Sequence, residues 1–299
     1  MKIIDAHAHI YERLTGFGPR GEARAIGGGM VEWATGKKER FLRPEHGDKE
    51  FTPEKLIELM DEGGIDRAVI LQGSNYGFQN SYVAESVAKY PDRFVGAGTF
   101  DPYAKWADDI FVNLTENLGF KNIKFEISEI YGLMGYHGDL DINGKLFDRY
   151  MSMCEEKGIT VTVDTGVWTT ASFQIEGIID MLSRHKNLTF VVAHTLFPNA
   201  SDENNNARLE YVKRLARDNV YFDIANLSSW SDLTRREYFR AVMDIVGADH
   251  MMWGTDCPGV FMSRTYRELV EYITESGYFS ASELACLMND TAAKVYQMD

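Results

Sequence analysis

Eight short β-branched runs alternate with segments whose apolar residues recur at i, i+3 and i+4, and this alternation limits the fold more than any other feature of the chain. The runs cover 2–9 (KIIDAHAH), 68–73, 94–100, 122–127, 159–165, 189–195, 220–225 and 250–256. Strands alternating with helices predict a parallel sheet joined by helical crossovers. Eight repeats of similar length favour an α/β fold of the (β/α)8 TIM-barrel type over a doubly wound open sheet. The lack of a GxGxxG turn after the first run points the same way. No linker or low-complexity stretch divides the 299 residues, so 1–299 reads as a single domain.

Helices are expected over 79–90, 104–118, 143–157, 174–185, 203–218, 232–246, 263–276 and 280–297, after a first one in FTPEKLIELMDEGG. There Thr52 suits the N-cap, Pro53 the first helical position, and Phe51 with Leu56 a hydrophobic staple. Gly63-Gly64 supplies the stop. Residues 11–51 break the rhythm as a long β1–α1 loop insertion, rich in Gly and Arg. It leaves the end of the first strand, which in barrels is the active-site face. A lid or substrate-contacting loop and a solvent-exposed or oligomer-contact insertion are both open readings.

A net charge of −14 argues against nucleic-acid or anionic-membrane partners. The first apolar run is interrupted by Asp5, His7 and His9, which is unlike a signal peptide, and no run approaches the roughly 20 apolar residues of a membrane span. Three scattered cysteines fit a reducing compartment, so a cytoplasmic location is expected.

Polar residues collect at the ends of the runs: His7 and His9 on the first, Lys124 and Glu126 on the fourth, Asp164 on the fifth, His194 on the sixth, Asp223 on the seventh and Asp256 on the eighth. Side chains at i and i+2 share a face of a strand, so Asp5, His7 and His9 are predicted to point one way. A single histidine or aspartate at a strand end is usually structural. Several converging in a closed barrel are costly to bury unless paired or bound to a cation. Imidazole and carboxylate together suit a divalent metal. His185 lies near a helix end and His250 at the opposite end of its strand, so both read as peripheral, while His46 and His137 lie in loops that can reach the barrel mouth, with surface residence the first reading and substrate contact the alternative. Cys257 reads as a small buried residue.

IIDAHAHI, FTPEKLIELMDEGGIDRAVIL, YPDRFVGAGTFDP, NIKFE, VVAHT, MMWGTDCP and NDTAAKVY resemble the amidohydrolase superfamily. The closest likeness is to the branch that contains aminocarboxymuconate-semialdehyde decarboxylase and related metal-dependent hydrolases. The resemblance implies one divalent metal at the barrel mouth, zinc first, with manganese or iron as alternatives. Its implied ligands are His7, His9, Asp164 and Asp256, with Asp256 and His194 catalytic. Asp164 stands where that branch usually has histidine in an HTG setting, a departure that favours a harder metal or weakens binding. The implied activity is hydrolysis of a small, carboxylate-bearing molecule by activated water. Lys124 and an arginine of the 11–51 insertion would bind the substrate, and Trp168 would wall the pocket. Non-oxidative decarboxylation on the same scaffold is the alternative, and a non-catalytic or metal-free barrel a second one. Dimers are common in that branch, so a homodimer is an expectation by analogy.

Overall fold

The computed structural model describes residues 1–198, 204–225 and 233–298. After β1 (Ile4–Ala8) come four short strands, β2 (Phe17–Gly18), β3 (Gly21–Gly27), β4 (Met30–Trp33) and β5 (Lys38–Arg40). The chain then alternates: α1 (Pro53–Gly63), β6 (Arg67–Ile70), α2 (Asn80–Lys89), β7 (Phe94–Gly96), α3 (Ala107–Val112), β8 (Asn122–Glu126), α4 (Lys145–Lys157) and β9 (Thr160–Asp164). It continues with α5 (Ile175–Arg184), β10 (Phe190–Val192), α6 (Asn205–Leu215), β11 (Val220–Asp223), α7 (Leu233–Val246), β12 (Met251–Met252), α8 (Tyr266–Thr274), α9 (Ala281–Ala285) and α10 (Thr291–Val295).

The eight strands expected from the sequence are β1 and β6–β12, all parallel to their neighbours. They form two ladders, β1-β6-β7 and β8-β9-β10-β11-β12. The ladders meet at both seams. Gly98 pairs with Ile123 beyond β7, and Ala8 pairs with Cys257 beyond β12. The Ala6 amide donates to the Trp253 carbonyl at 3.0 Å and the Gly98 amide to Asn122 at 2.9 Å. The strands thus follow one another around a (β/α)8 barrel. Ile4, Ala6, Val69, Leu71, Ala97, Val191 and Met252 pack as one buried cluster, with Ala292, Val295 and Tyr296 of the C-terminal segment joining it. The Thr160 hydroxyl, at the start of β9, donates to the Val295 carbonyl at 3.0 Å, so α10 lies at the N-terminal end of the strands, opposite the site described below.

The first strand departs from simple alternation. Its register with β6 shifts between Asp5 and Ala8, a bulge that adds a residue on one side of the pair. Ile4 and Ala6 therefore share a cluster with Val69 and Leu71, while Ala8 packs in the other cluster with Phe51 and Leu56. Asp5 does not join His7 and His9. Its carboxylate accepts from the Thr255 hydroxyl at 2.6 Å and the Tyr266 hydroxyl at 2.9 Å, with Tyr266 opening α8. The Thr255 amide at 2.9 Å and the His7 amide at 3.0 Å complete its shell. Burial pushes the Asp5 carboxyl up to about 6 against these four donors.

The helices fall where the pattern puts them, with two differences. The segments expected as continuous over 104–118 and 280–297 are each interrupted by a π-turn, at 113–117 and 286–290. The insertion 11–51 is not an irregular loop: β2–β5 form an antiparallel sheet, with Ala23, Ala25, Val31 and Trp33 buried. No helix among the described residues is long and apolar enough to cross a membrane.

The start of α1 is built as its sequence suggests. The Thr52 side chain accepts from the Lys55 amide at 3.2 Å, Phe51 and Leu56 are fully buried, and Gly64 closes the helix in the left-handed region at φ 73°. Thr52→Ala removes the cap acceptor and is expected to cost about 1 kcal/mol, read from the midpoint of urea unfolding. An unchanged midpoint would mean that the cap contributes nothing.

Candidate metal and catalytic centre

Three ring nitrogens and three carboxylates meet where β1, β9, β10 and β11 end and β12 gives way to its loop. His7 Nδ1 lies 3.0 Å from Asp223 Oδ2, and His9 Nδ1 lies 2.9 Å from the Leu71 carbonyl. A carbonyl can only accept, so His9 carries its proton on Nδ1. The Asp223 carboxylate holds His7 in the same tautomer. Both Nε2 lone pairs are left to the centre. His9 Nε2 is 3.0 Å and His7 Nε2 is 3.7 Å from one atom, Asp256 Oδ1. Burial lowers the pKa of both rings, aided at each by the Lys124 amino group, so they are neutral at pH 7.

Those separations suit donors around one small cation, because ligands at 2.0–2.1 Å in tetrahedral geometry stand roughly 3.3 Å apart. The outer partners, Asp223 and the Leu71 carbonyl, are of the kind that orient metal-bound imidazoles. One feature competes: Lys124 Nζ is 3.1 Å from His7 Nε2 and donates into the lone pair that a metal would use. Among the described residues, two groups bring three such donors within reach of one ion: His7, His9 and Asp256, and His7, His194 and Asp223.

Asp164, expected among the ligands, is in neither group. Its Oδ2 lies 3.2 Å from His194 Nε2, and its Oδ1 accepts from the Gly166 amide at 2.8 Å. Burial alone would raise the Asp164 pKa, but the His194 ring overrides it and holds the carboxyl at about 2. Burial would likewise lower His194, yet the facing Asp164 carries it up to about 9. The pair is therefore imidazolium and carboxylate at neutral pH. His194 Nδ1 is buried and has no hydrogen-bond partner among the described residues.

The backbone here is unusual. His194, Thr195, Leu196 and Phe197 all have positive φ, 57°, 48°, 65° and 49°, and form one left-handed turn. Left-handed non-glycine residues cost roughly 1–2 kcal/mol each, so the surroundings must hold them. The His194 amide donates to Asp223 Oδ1 at 2.8 Å, Arg208 Nε to the Leu196 carbonyl at 3.0 Å, and the Tyr238 hydroxyl to the Thr195 carbonyl at 3.3 Å. This turn ends β10 at Val192, earlier than the run 189–195 suggests. Asp256 is also left-handed, at φ 65°. Gly254, two residues earlier, permits the approach of β12 to β1, since a Cβ there would lie 2.8 Å from His7 Cβ.

A cavity of about 500 Å³ opens above these groups. His9, Lys124, Glu126, Asp164, His194 and Asp256 line its floor, and Tyr76, Tyr131 and Phe197 its walls. Glu39, Arg40 and Phe41 bring the insertion to its rim, and Arg40 is the insertion arginine placed there. Burial pushes the Glu126 carboxyl up to about 8, with Lys124 opposing and Asp164 reinforcing the shift. Trp168, expected as a pocket wall, lies elsewhere. It packs on Phe173 and Tyr211 with the Arg208 guanidinium 5.0 Å from its ring. The strand after Asp164 turns at Gly166 (φ 71°), and Val167 and Thr170 line the cavity instead. In the sequence Asp223 is one more strand-end aspartate, and its spacing gives no sign of the two histidines it meets. His137 pairs with Asp101, His185 with Asp148 and Glu155, and His250 with the Val220 carbonyl, all outside the cavity lining.

A family model described as amidohydrolase matches residues 4–298. Comparison with curated proteins gives no match. Among solved structures, a zinc-bound amidohydrolase from Burkholderia multivorans is 15% identical, with both chains covered completely and a TM-score of 0.73. A probable 2-pyrone-4,6-dicarboxylic acid hydrolase from Acinetobacter baumannii, with citric acid bound, is 14% identical over 100% of both chains at a TM-score of 0.70. The 5-carboxyvanillate decarboxylase of Sphingomonas paucimobilis is 15% identical over 81% of this chain and 82% of its own, at 0.59. At such identities the likeness is one of fold.

The Asp164–His194 pair sets a pH dependence. The raised His194 pKa stabilises the fold fully below its ordinary 6.5 and is lost as pH rises through about 9. The lowered Asp164 pKa stabilises above the ordinary 3.8 and is lost as pH falls towards 2. In chelator-treated protein, NMR of the His194 ring should show it protonated through neutral pH, and Asp164→Asn should bring its midpoint down by more than one unit. A midpoint indifferent to Asp164→Asn would dissolve the ion pair.

Proposed function

The chain belongs to the amidohydrolase family, and on that premise we propose that it is a metal-dependent hydrolase of a small, carboxylate-bearing molecule. The observation that carries this reading is the meeting of His7 Nε2, His9 Nε2 and Asp256 Oδ1, with both Nδ1 atoms already engaged. These three residues are the proposed ligands, with zinc the first candidate and manganese or iron the alternatives. Bound there, a divalent ion would supply water that ionises near neutral pH. Asp164 is proposed not as a ligand but as the group that keeps His194 protonated and oriented.

The residues then divide the work. Asp256, whose pKa is lowered despite burial by the His9 hydrogen bond and the charge of His194, is ionised at neutral pH. It accepts a proton from the attacking water and returns it to the leaving group. His194, with Nε2–H committed to Asp164, retains Nδ1–H as a donor for charge developing on the substrate. Lys124 and Arg40 are the cationic groups of the lining available to a substrate carboxylate.

Decarboxylation is the second reading, favoured by the fold shared with the 5-carboxyvanillate decarboxylase and with a 2,6-dihydroxybenzoate decarboxylase. Incubation with a panel of aromatic carboxylates and of lactones and esters bearing a carboxylate separates the two. Ring-opened or de-esterified acids support hydrolysis, whereas released CO₂ overturns it in favour of the lyase. Metal titration tests both. About one equivalent of Zn, Mn or Fe should bind, and none in His9→Ala. Asp223→Asn should weaken the affinity by about 10–100-fold through loss of the His7 partner. Failure of the unaltered protein to take up any of the three metals would leave a metal-free barrel. Asp256→Asn is expected to slow turnover by about 10²–10⁴-fold.

A further inference from the structure

Asp256 presents its carboxylate to the centre from a left-handed backbone, φ 65°, which residues with a Cβ adopt uncommonly. Such a conformation persists only where the surroundings over-determine it. Two peptide planes meet at Asp256, and different bonds hold them. In the plane before it, the Asp256 amide donates to the His7 carbonyl at 2.7 Å, a backbone contact with β1. In the plane after it, the Cys257 amide donates to the Thr255 hydroxyl oxygen at 3.1 Å. That hydroxyl has one proton to give and lone pairs to offer. Its proton goes to Asp5 Oδ2, at 2.6 Å, which turns a lone pair towards the Cys257 amide. Asp5 can only accept, so the direction of the hydroxyl is set. Asp5 is itself held from two sides. Oδ1 accepts from the Thr255 amide at 2.9 Å and the His7 amide at 3.0 Å, and Oδ2 from the Tyr266 hydroxyl at 2.9 Å. Asp5, Thr255 and Cys257 are fully buried, so no solvent stands ready to replace a lost bond. One carboxylate thus touches the backbone of one proposed ligand, His7, and fixes the turn that carries another.

We propose that Asp5 is a positioning residue of the metal centre: through the Thr255 hydroxyl it fixes the peptide after Asp256 and so keeps Asp256 Oδ1 3.0 Å from His9 Nε2. Asp5 touches neither metal nor substrate. The inference rests on the reading of His7, His9 and Asp256 as ligands. Groups that orient ligands from outside typically govern metal affinity by about 10–100-fold. Ordinary core support differs in kind, because its loss weakens the fold and leaves the ligand geometry in place.

Titration with zinc, manganese and iron, urea unfolding and crystal structures of the metal-free protein test the proposal on full-length variants. Thr255→Val keeps the shape and removes the hydroxyl. Metal affinity should fall by about tenfold or more, and Asp256 should leave the left-handed region. Thr255→Ser restores the hydroxyl and should bring the affinity back to within about threefold of the unaltered chain. Leu182→Ala, buried on α5 and outside the centre, should lower the urea midpoint and leave metal affinity within about threefold. Asp5→Asn exchanges one acceptor oxygen for a donor and should weaken affinity in the same direction as Thr255→Val, which covers the case of a valine variant that does not fold. Unchanged affinity in Thr255→Val, whatever its urea midpoint, would overturn the proposal, as would an Asp256 that keeps its conformation there. If the unaltered chain takes up none of the three metals, the ligand reading fails, and the crystal structures still decide the clamp: Asp256 displaced in Thr255→Val supports it, and Asp256 unmoved overturns it.

Discussion

The Asp223 carboxylate organises the centre. One oxygen faces His7 Nδ1 at 3.0 Å, and the other accepts from the His194 amide at 2.8 Å and the Ala225 amide at 3.2 Å. A single buried group at the end of β11 thus fixes the tautomer of a histidine on β1 and anchors the left-handed turn after β10. Burial raises its pKa, and these donors, with the His194 and Lys124 charges, work against that rise. Neighbouring parallel strands end at one level, so a carboxylate there reaches both histidines without a long loop. The rest of the centre follows: His7 presents Nε2, His9 stands beside it, and Asp256 closes the group where Gly254 lets β12 lie against β1.

Much of this was legible in the sequence, and the unread parts have physical causes. The eight runs and their helices appeared because period 2 and period 3.6 are written in the positions of Ile, Val and Leu. His7, His9, His194 and Asp256 were visible because an ionisable residue inside an apolar run is costly without a partner. Asp5 satisfied the same criterion and was misplaced, since a bulge resets the alternation and leaves no mark on residue type. Trp168 was misplaced because the turn at Gly166 redirects the chain, and propensity does not report the direction of a loop. Asp223 was seen but given no role, because pairing between residues 216 apart in sequence is a property of barrel closure. The sheet in the insertion escaped for another reason: its strands are short, and Gly and Arg dilute the alternation that Ala23, Ala25, Val31 and Trp33 obey.

Asp164 shows how one residue type alters a site without moving it. A carboxylate facing His194 at 3.2 Å fixes a proton on that ring, and the ion pair carries no net charge. Lys124 adds a positive group 3.1 Å from His7 Nε2. A divalent ion held by His7, His9 and Asp256 would therefore meet two cationic neighbours and only one ligand carboxylate. Its affinity must rise with pH as His194 loses its proton, and it must displace the Lys124 contact to reach the His7 lone pair. Glu126, pushed up to about 8 by burial, becomes ionisable beside such a cation and could restore the charge balance that Asp164 spends on His194. The fifth-strand aspartate thus leaves the three-donor group intact and changes the protonation equilibria with which any metal must compete.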